Sequence, residues 1–266
     1  MVYKRSFCRS KMNYLRKDND MLKKTGIFVL LFLIAFSACK THYSVSKKEA
    51  QHQSLKSVSS SSKFDSLISP YSKIMVNEMH RELVMCNADL TKDGVEMTLG
   101  NFVCDAVKWA YDSLTQEKTN TIVLVNRGGL RTSINKGIVT VNALFELMPF
   151  DNELEAVTIK GKDLEDVIKI ILEKKHAFLG MTIHSTTEGH AVIINSQSIK
   201  PDEDYILVTS DFLVNGGDGF TFGKKASVTK KLNIKIRDAL IYYCMHLKYI
   251  GKTISPYKDG RFEVSK

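Results

Sequence analysis

The segment TIVLV, residues 121–125, constrains this chain most. It is apolar throughout and bounded by polar residues, which reads as a buried strand rather than one with a wet face. It runs straight into Asn126-Arg127-Gly128-Gly129-Leu130-Arg131. Further on, DYILVTSDFLVN makes a second strand-like run, and it leads into Gly216-Gly217-Asp218-Gly219. Glycine pairs let backbone approach a neighbour closely. Polar side chains placed beside both pairs point to a ligand as that neighbour.

Around these runs, helical and strand-like periodicities mix irregularly. Residues 64–83 carry apolar residues at helical spacing, with Pro70 near the start. LGNFVCDAVKWAYDSLTQ places Phe102, Val103, Ala106, Val107 and Ala110 on one helical face. VNALFELMPF is a short helix stopped by Pro149, LEAVTIKG is a strand, and KDLEDVIKIILEKK is a strongly amphipathic helix. MTIHSTTEGHAVIIN reads as two strands about a Glu188-Gly189 turn, and LNIKIRDALIYYCMHLKYI as the last long helix. Hairpin-like pairs among helices predict an α+β, mixed α/β, fold.

The first 63 residues are of another kind. From Met21, a better start than Met1, the chain shows Lys23 and Lys24, an apolar stretch from Gly26 to Phe36, then small residues before Cys39. That is the layout of a secretory signal. The apolar stretch is short for a spanning helix. The ending FSAC resembles a bacterial lipobox, with Phe36 departing from its usual aliphatic residue. The expectation is a leader over 1–39, lipidation at Cys39, and export to a bacterial membrane surface. Residues 40–63, rich in Ser, Lys and Gln, are too poor in apolar groups to fold and read as a tether to a domain over 64–266.

The net charge of +9 is mostly the leader's: residues 1–38 contribute +6, from eight Lys or Arg against two Asp or Glu. The remainder lacks a basic stripe with interleaved aromatics, so nucleic acid is not an expected partner. Of the cysteines after the leader, Cys86, Cys104 and Cys244, none forms a C-x-x-C pair or has a histidine at metal spacing. Cys104 and Cys244 lie in apolar helical patterns and read as buried thiols.

Residue chemistry sharpens the ligand reading. Asn126 offers a donor and an acceptor at a strand end, and the Asp218 carboxylate can accept two hydroxyl protons from a sugar. Arg131 carries a planar fork suited to phosphate or paired oxygens. Phe150 and Phe212 lie near turn signals, where stacking platforms for a base would stand. The same residues also suit turns, a core and an ion pair, so spacing alone leaves both readings open.

Four blocks together resemble the C-terminal domain of the 5'-nucleotidase family: LGNFVCDAVKWA, NRGGLR running on through VTVNALFELMPFDN, FLVNGGDGF, and the closing DGRF. The resemblance implies that Phe150 and Phe212 sandwich a base and that Asp218 holds ribose hydroxyls. It further implies that Asn126 contacts the base, that Arg131 contacts polar groups of the substrate, and that Gly128, Gly129, Gly216 and Gly217 give close backbone approach. A further family arginine has no counterpart, its place being taken by Val95.

In that family hydrolysis takes place on a separate dimetal domain, whose Asp-x-His, Gly-Asn-His-Glu and Gly-His-x-His motifs do not occur in this sequence. Such a site needs roughly six or seven ligands to clamp the attacking and leaving oxygens. The seven histidines, His42, His52, His80, His176, His184, His190 and His246, are scattered, and His190 in its hairpin turn has no Asp or Glu at metal-ligand spacing. The expectation is therefore a nucleotide- or nucleoside-binding specificity subunit that binds no cofactor itself and works with a separate metallophosphatase chain carrying divalent metals. The alternatives are a stand-alone exported binder without hydrolase activity, or an enzyme with an unrelated site drawing on Asp211, Asp218 and His184.

Overall fold

The structure, a computed structural model, describes residues 62–115 and 121–264. The leader, its Cys39 and the tether up to residue 61 lie outside the described residues.

A five-stranded sheet organises the molecule, in the order β10 (Val228–Lys235), β4 (Glu153–Lys160), β9 (Asp204–Ser210), β2 (Thr121–Val125), β5 (Ala177–Leu179). β2 and β9 run parallel, and the other pairings are antiparallel. Side chains alternate across the pleat, so each central strand feeds two cores. Val123 and Val125 of β2, Val208 of β9, and Leu154 and Ala156 of β4 join one core. Ile122 and Leu124, Leu207, and Val157 and Ile159 join the other. That double burial is why TIVLV is apolar at every position.

The first core is closed by α2 (Thr98–Thr115) and α7 (Ile236–Tyr249), together with a two-stranded sheet of β1 (Glu82–Cys86) and β3 (Gly137–Thr140) and the short α3 (Val141–Leu147). The second is closed by α4 (Gly161–Lys174), by Phe222 of the short α6 (Phe222–Lys225), and by Ile183 and Ile194 of a four-stranded sheet. That sheet, ordered β11-β6-β7-β8, comprises β6 (Thr182–Thr186), β7 (Gly189–Ile194), β8 (Gln197–Ser198) and β11 (Phe262–Val264). Cys86, Cys104 and Cys244 are buried free thiols. Burial pushes Cys104 and Cys244 up to about 12, so both stay protonated.

Two local readings need correction, and a third is incomplete. DYILVTSDFLVN is a strand only to Ser210; Asp211–Val214 turn into a one-turn helix, α5, because the Ser210 side chain accepts the Leu213 N–H as an N-cap. Leu232 to Lys235 belong to β10, not to the last helix, which begins at Ile236. The helix expected near residue 64, α1 (Ser62–Met79), forms, but Phe64, Leu67, Ile68, Tyr71, Ile74 and Met75 on it are exposed. Its spacing announced a helix and said nothing of a partner.

Candidate functional site

Strand direction gathers four loops at one edge of the sheet. Parallel β2 and β9 both end there, while β4 and β5, antiparallel to them, both begin there. Val125 pairs with Ala177 and Leu154 with Ser210, so the residues just outside these pairs are neighbours. They are Asn126 after β2, His176 before β5, Asn152 before β4 and Asp211 after β9. Crevices beyond the carboxyl ends of parallel strands are the usual ligand sites of open α/β sheets. Here such a crevice, about 240 Å³, is lined by Asn126, Gly128, Gly129, Phe150, Asn152, Phe212 and Asp218.

The first loop is a 3₁₀ turn, Arg127–Gly129. Asn126 opens the turn without capping it, which leaves its amide free for another partner. It is nearly buried, at 8% exposure. A Cβ on Gly129 would stand 2.8 Å from the Asn126 Oδ1, so the glycine makes room for that amide. Arg131 stands beside the crevice rather than in its lining. Its guanidinium lies 5.9 Å from the Phe150 ring centroid, within cation–π range, and donates to the Gly128 carbonyl at 3.3 Å. Arg127 donates to the carbonyl of Gly94, next to Val95, at 3.3 Å.

Phe150 stands on a turn held from outside. Arg237 of α7, buried at 6% exposure, donates to the carbonyls of Met148 at 3.1 Å and Phe150 at 3.4 Å, and to Asp151 Oδ1 at 2.6 Å. Its guanidinium also lies 3.9 Å over the Phe145 ring. Lys235 and Arg237 together hold the Asp151 carboxyl below its usual range.

Phe212 and Asp218 stand on a loop held mostly by its own side chains. Asp211 Oδ1 accepts the N–H groups of Phe212 at 2.7 Å and Glu153 at 3.2 Å. A Cβ on Gly217 would lie 2.4 Å from the Phe212 ring, so only glycine lets the ring rest where it does. Gly216, with φ of 97°, needs the freedom of glycine as well. Asp218 itself adopts φ of 55°, a left-handed conformation that Asp tolerates better than most residues and that is often found at functional sites.

The structure thus brings Asn126, Gly128, Gly129, Phe150, Phe212 and Asp218 around one crevice. It sets Arg131 at the rim beside Phe150, and leaves Gly216 and Gly217 shaping the loop rather than lining the cavity. Sequence reasoning missed Asn152, although it is the last residue of the Pro-Phe-x-Asn block. It also missed Arg237 and His176, which no local motif marks. Asp211, a candidate for the unrelated-site reading, spends its carboxylate on backbone N–H groups. His184 pairs with Glu263 at 3.0 Å in the other sheet, so Asp211, Asp218 and His184 form no common site. Among the described residues no group of three His, Cys, Asp or Glu is arranged to hold a metal ion.

Two of the four blocks are scaffold. A Cβ on Gly100 would collide with Met97 and with Ala177 of β5, so that glycine lets α2 press on the sheet. Buried Asn101 donates to Glu96 and to the Tyr257 carbonyl, both at 3.1 Å. Arg261 of the closing block is buried, binds Asp259 at 2.7 Å, and donates to the Phe178 carbonyl of β5 at 2.9 Å.

Comparison with known proteins agrees with this architecture. The family model described as 5'-nucleotidase, C-terminal domain, matches residues 78–225. An apyrase of Tabanus yao is 29% identical over 196 residues, covering 64% of this chain and 35% of the relative. A cell wall protein of Listeria monocytogenes is 29% identical over 188 residues, covering 64% of this chain and 24% of the relative. The chain therefore spans about a quarter to a third of the length of these relatives. Among solved structures, a 5'-nucleotidase precursor from Thermus thermophilus superposes with a TM-score of 0.64 at 23% identity, covering 75% of this chain and 42% of that one, a likeness of fold.

Proposed function

We propose, from the premise that the chain belongs to the family of 5'-nucleotidase C-terminal domains, that it is the nucleoside-recognising half of an exported 5'-nucleotidase. Phosphate ester hydrolysis would take place at the divalent metals of a separate metallophosphatase chain. In this reading the base stacks between Phe150 and Phe212, Asn126 and Asn152 meet its polar edge, Asp218 takes the ribose hydroxyls, and Arg131 meets the outer polar groups. Gly128 and Gly129 admit the ligand close to backbone.

The observation that carries the reading is the convergence of two half-exposed phenyl rings, two amides and one carboxylate on a single crevice. Two aromatic faces open at a cavity mouth suit a stacked base, and each contributes roughly 1–3 kcal/mol when a base stacks on it. Binding energy from the nucleoside would then orient the phosphate at the partner's metals, which turns a bimolecular encounter into a positioned reaction. This chain's residues bind and orient; no proton transfer or bond cleavage is assigned to them. A place outside the cytoplasm agrees with the signal-like leader, with the expected lipid at Cys39, and with the cell wall protein among the relatives.

The test is twofold. Calorimetry should show adenosine or AMP binding to the purified chain, and Phe150→Ala with Phe212→Ala should abolish it. AMP hydrolysis with Mn²⁺ or Zn²⁺ should be absent from the chain alone and appear when a metallophosphatase chain is added. Hydrolysis by the chain alone would refute the division of labour. Binding without hydrolysis under any pairing would favour a stand-alone binder.

A further inference from the structure

His176 lies behind Asp218, outside the crevice lining, and is buried at 2% exposure. The Arg127 backbone N–H donates to its Nδ1 at 3.1 Å. Nδ1 is therefore an acceptor, and the neutral ring must carry its proton on Nε2. Burial, the larger influence, holds the imidazole below its ordinary value, which favours that neutral form; Asp218 opposes this and Lys174 adds to it. Nε2 faces Asp218 Oδ2 at 3.8 Å. Among the described residues both atoms are buried without a hydrogen-bond partner.

A buried donor and a buried acceptor, each unmatched and facing one another just beyond bonding distance, form a contact that a small side-chain rotation closes. Hydrogen bonds of this kind are commonly long in the ligand-free state and tighten on binding. The surroundings hold the pair in register. Lys174 Nζ donates to the Asp218 carbonyl at 2.6 Å, and the His176 and Phe220 rings lie 5.6 Å apart. Lys175, in a left-handed C-cap at φ 54°, turns the chain from α4 so that His176 enters the sheet edge.

We infer that His176 is a positioning residue that turns the Asp218 carboxylate toward the crevice and so makes the site selective for ligands carrying a vicinal diol. Through Arg127 on one side and Asp218 on the other, it also ties the two glycine rims together. A carboxylate has about four lone-pair sites, so one bond from His176 leaves enough capacity for two hydroxyls. This inference rests on the nucleoside reading above and adds to it the source of sugar selectivity.

The experiment compares adenosine with 2',3'-dideoxyadenosine by calorimetry on the full chain, with thermal unfolding to check folding. Hydrogen bonds to a charged group imply that the wild type prefers adenosine by about 10- to 100-fold. His176→Asn keeps an acceptor for the Arg127 N–H but removes the donor toward Asp218. It should bring the preference to within about threefold of unity, as Asp218→Ala should, chiefly by weakening adenosine. His176→Gln, which restores a donor near the Nε2 position, should recover most of the preference. If Asp218→Ala abolishes the preference but His176→Asn does not, the inference is wrong and the nucleoside reading stands. Equal weakening of both ligands by His176→Asn would make the residue merely structural and also overturns the inference. If the wild type binds neither ligand, the nucleoside reading falls and the inference with it.

Discussion

Phe150 and Phe212 look alike: each follows a strand or helix end, each lines the same crevice, and each is nearly half exposed, at 46% and 44%. They are held by opposite means. The Phe150 turn hangs on Arg237, a residue of a distant helix that grips two of its carbonyls and Asp151. The Phe212 loop is held mostly from within, by the Ser210 cap, the Asp211 side chain and the space left at Gly217. One ring is positioned by tertiary structure and the other largely by its own sequence.

Breaking the remote support should have the largest effect. Arg237→Ala orphans the Met148 and Phe150 carbonyls, at a cost of about 3 kcal/mol. The loss would appear as a lower midpoint in thermal or urea unfolding, with adenosine binding weakened further. A midpoint equal to wild type would show that the Phe150 turn supports itself, and the contrast would disappear.

Removing the rings sharpens the comparison at the level of the ligand. Phe150→Ala and Phe212→Ala should each weaken adenosine binding by about 1–3 kcal/mol. Because both rings are exposed, stability should shift by only about 0.5 kcal/mol. A ring whose removal costs stability rather than affinity belongs to the scaffold and not to the ligand site.

A smaller effect is expected from Gly217→Ala. The new methyl displaces the Phe212 ring, and adenosine affinity should fall by about 1 kcal/mol, within the stacking contribution of one ring. The Phe150 side should be untouched, which Arg131 and Phe150 variants made in the same background would check by additivity.

The smallest effects are those of pH, and they separate the two sides by window. His176 is held below its ordinary value of 6.5, so the folded state binds fewer protons than the unfolded one just below that pH. Stability behind the Asp218 loop is then complete above pH 6.5 and is lost as the solution is acidified. Asp151, held below its ordinary value of 3.8 by Lys235 and Arg237, loses its contribution only as pH falls below that value. Unfolding midpoints across pH 3 to 8 should fall in these two windows. His176→Gln should flatten the upper one and Asp151→Asn the lower.

Much of this protein is written locally. Continuous apolarity marks β2, and helical period marks α2, α4 and α7. The two glycine blocks carry the residues that line the crevice because a tight turn and its flanking side chains occupy one short segment. Helical spacing could equally describe α1 and α2, yet α2 buries Leu99, Phe102, Val103, Ala106, Val107, Ala110 and Tyr111 while α1 leaves Phe64, Leu67, Ile68, Tyr71, Ile74 and Met75 in water. Periodicity encodes a helix and a face but not what covers that face. Short β5, β8 and β11 escaped notice because strands of two or three residues show no period.

Order and direction within the sheet are what no short segment encodes. Parallel β2 and β9, flanked by antiparallel β4 and β5, bring Asn126, Asn152, His176 and Asp211 to one edge, though in sequence His176 is 50 positions from Asn126 and 42 from Asp218. Turn chemistry and apolar period act between residues a few positions apart, and they were legible in the chain. Strand pairing, the grip of Arg237 and the His176–Asp218 contact arise only when distant segments bury surface against each other, so these belong to the folded molecule alone.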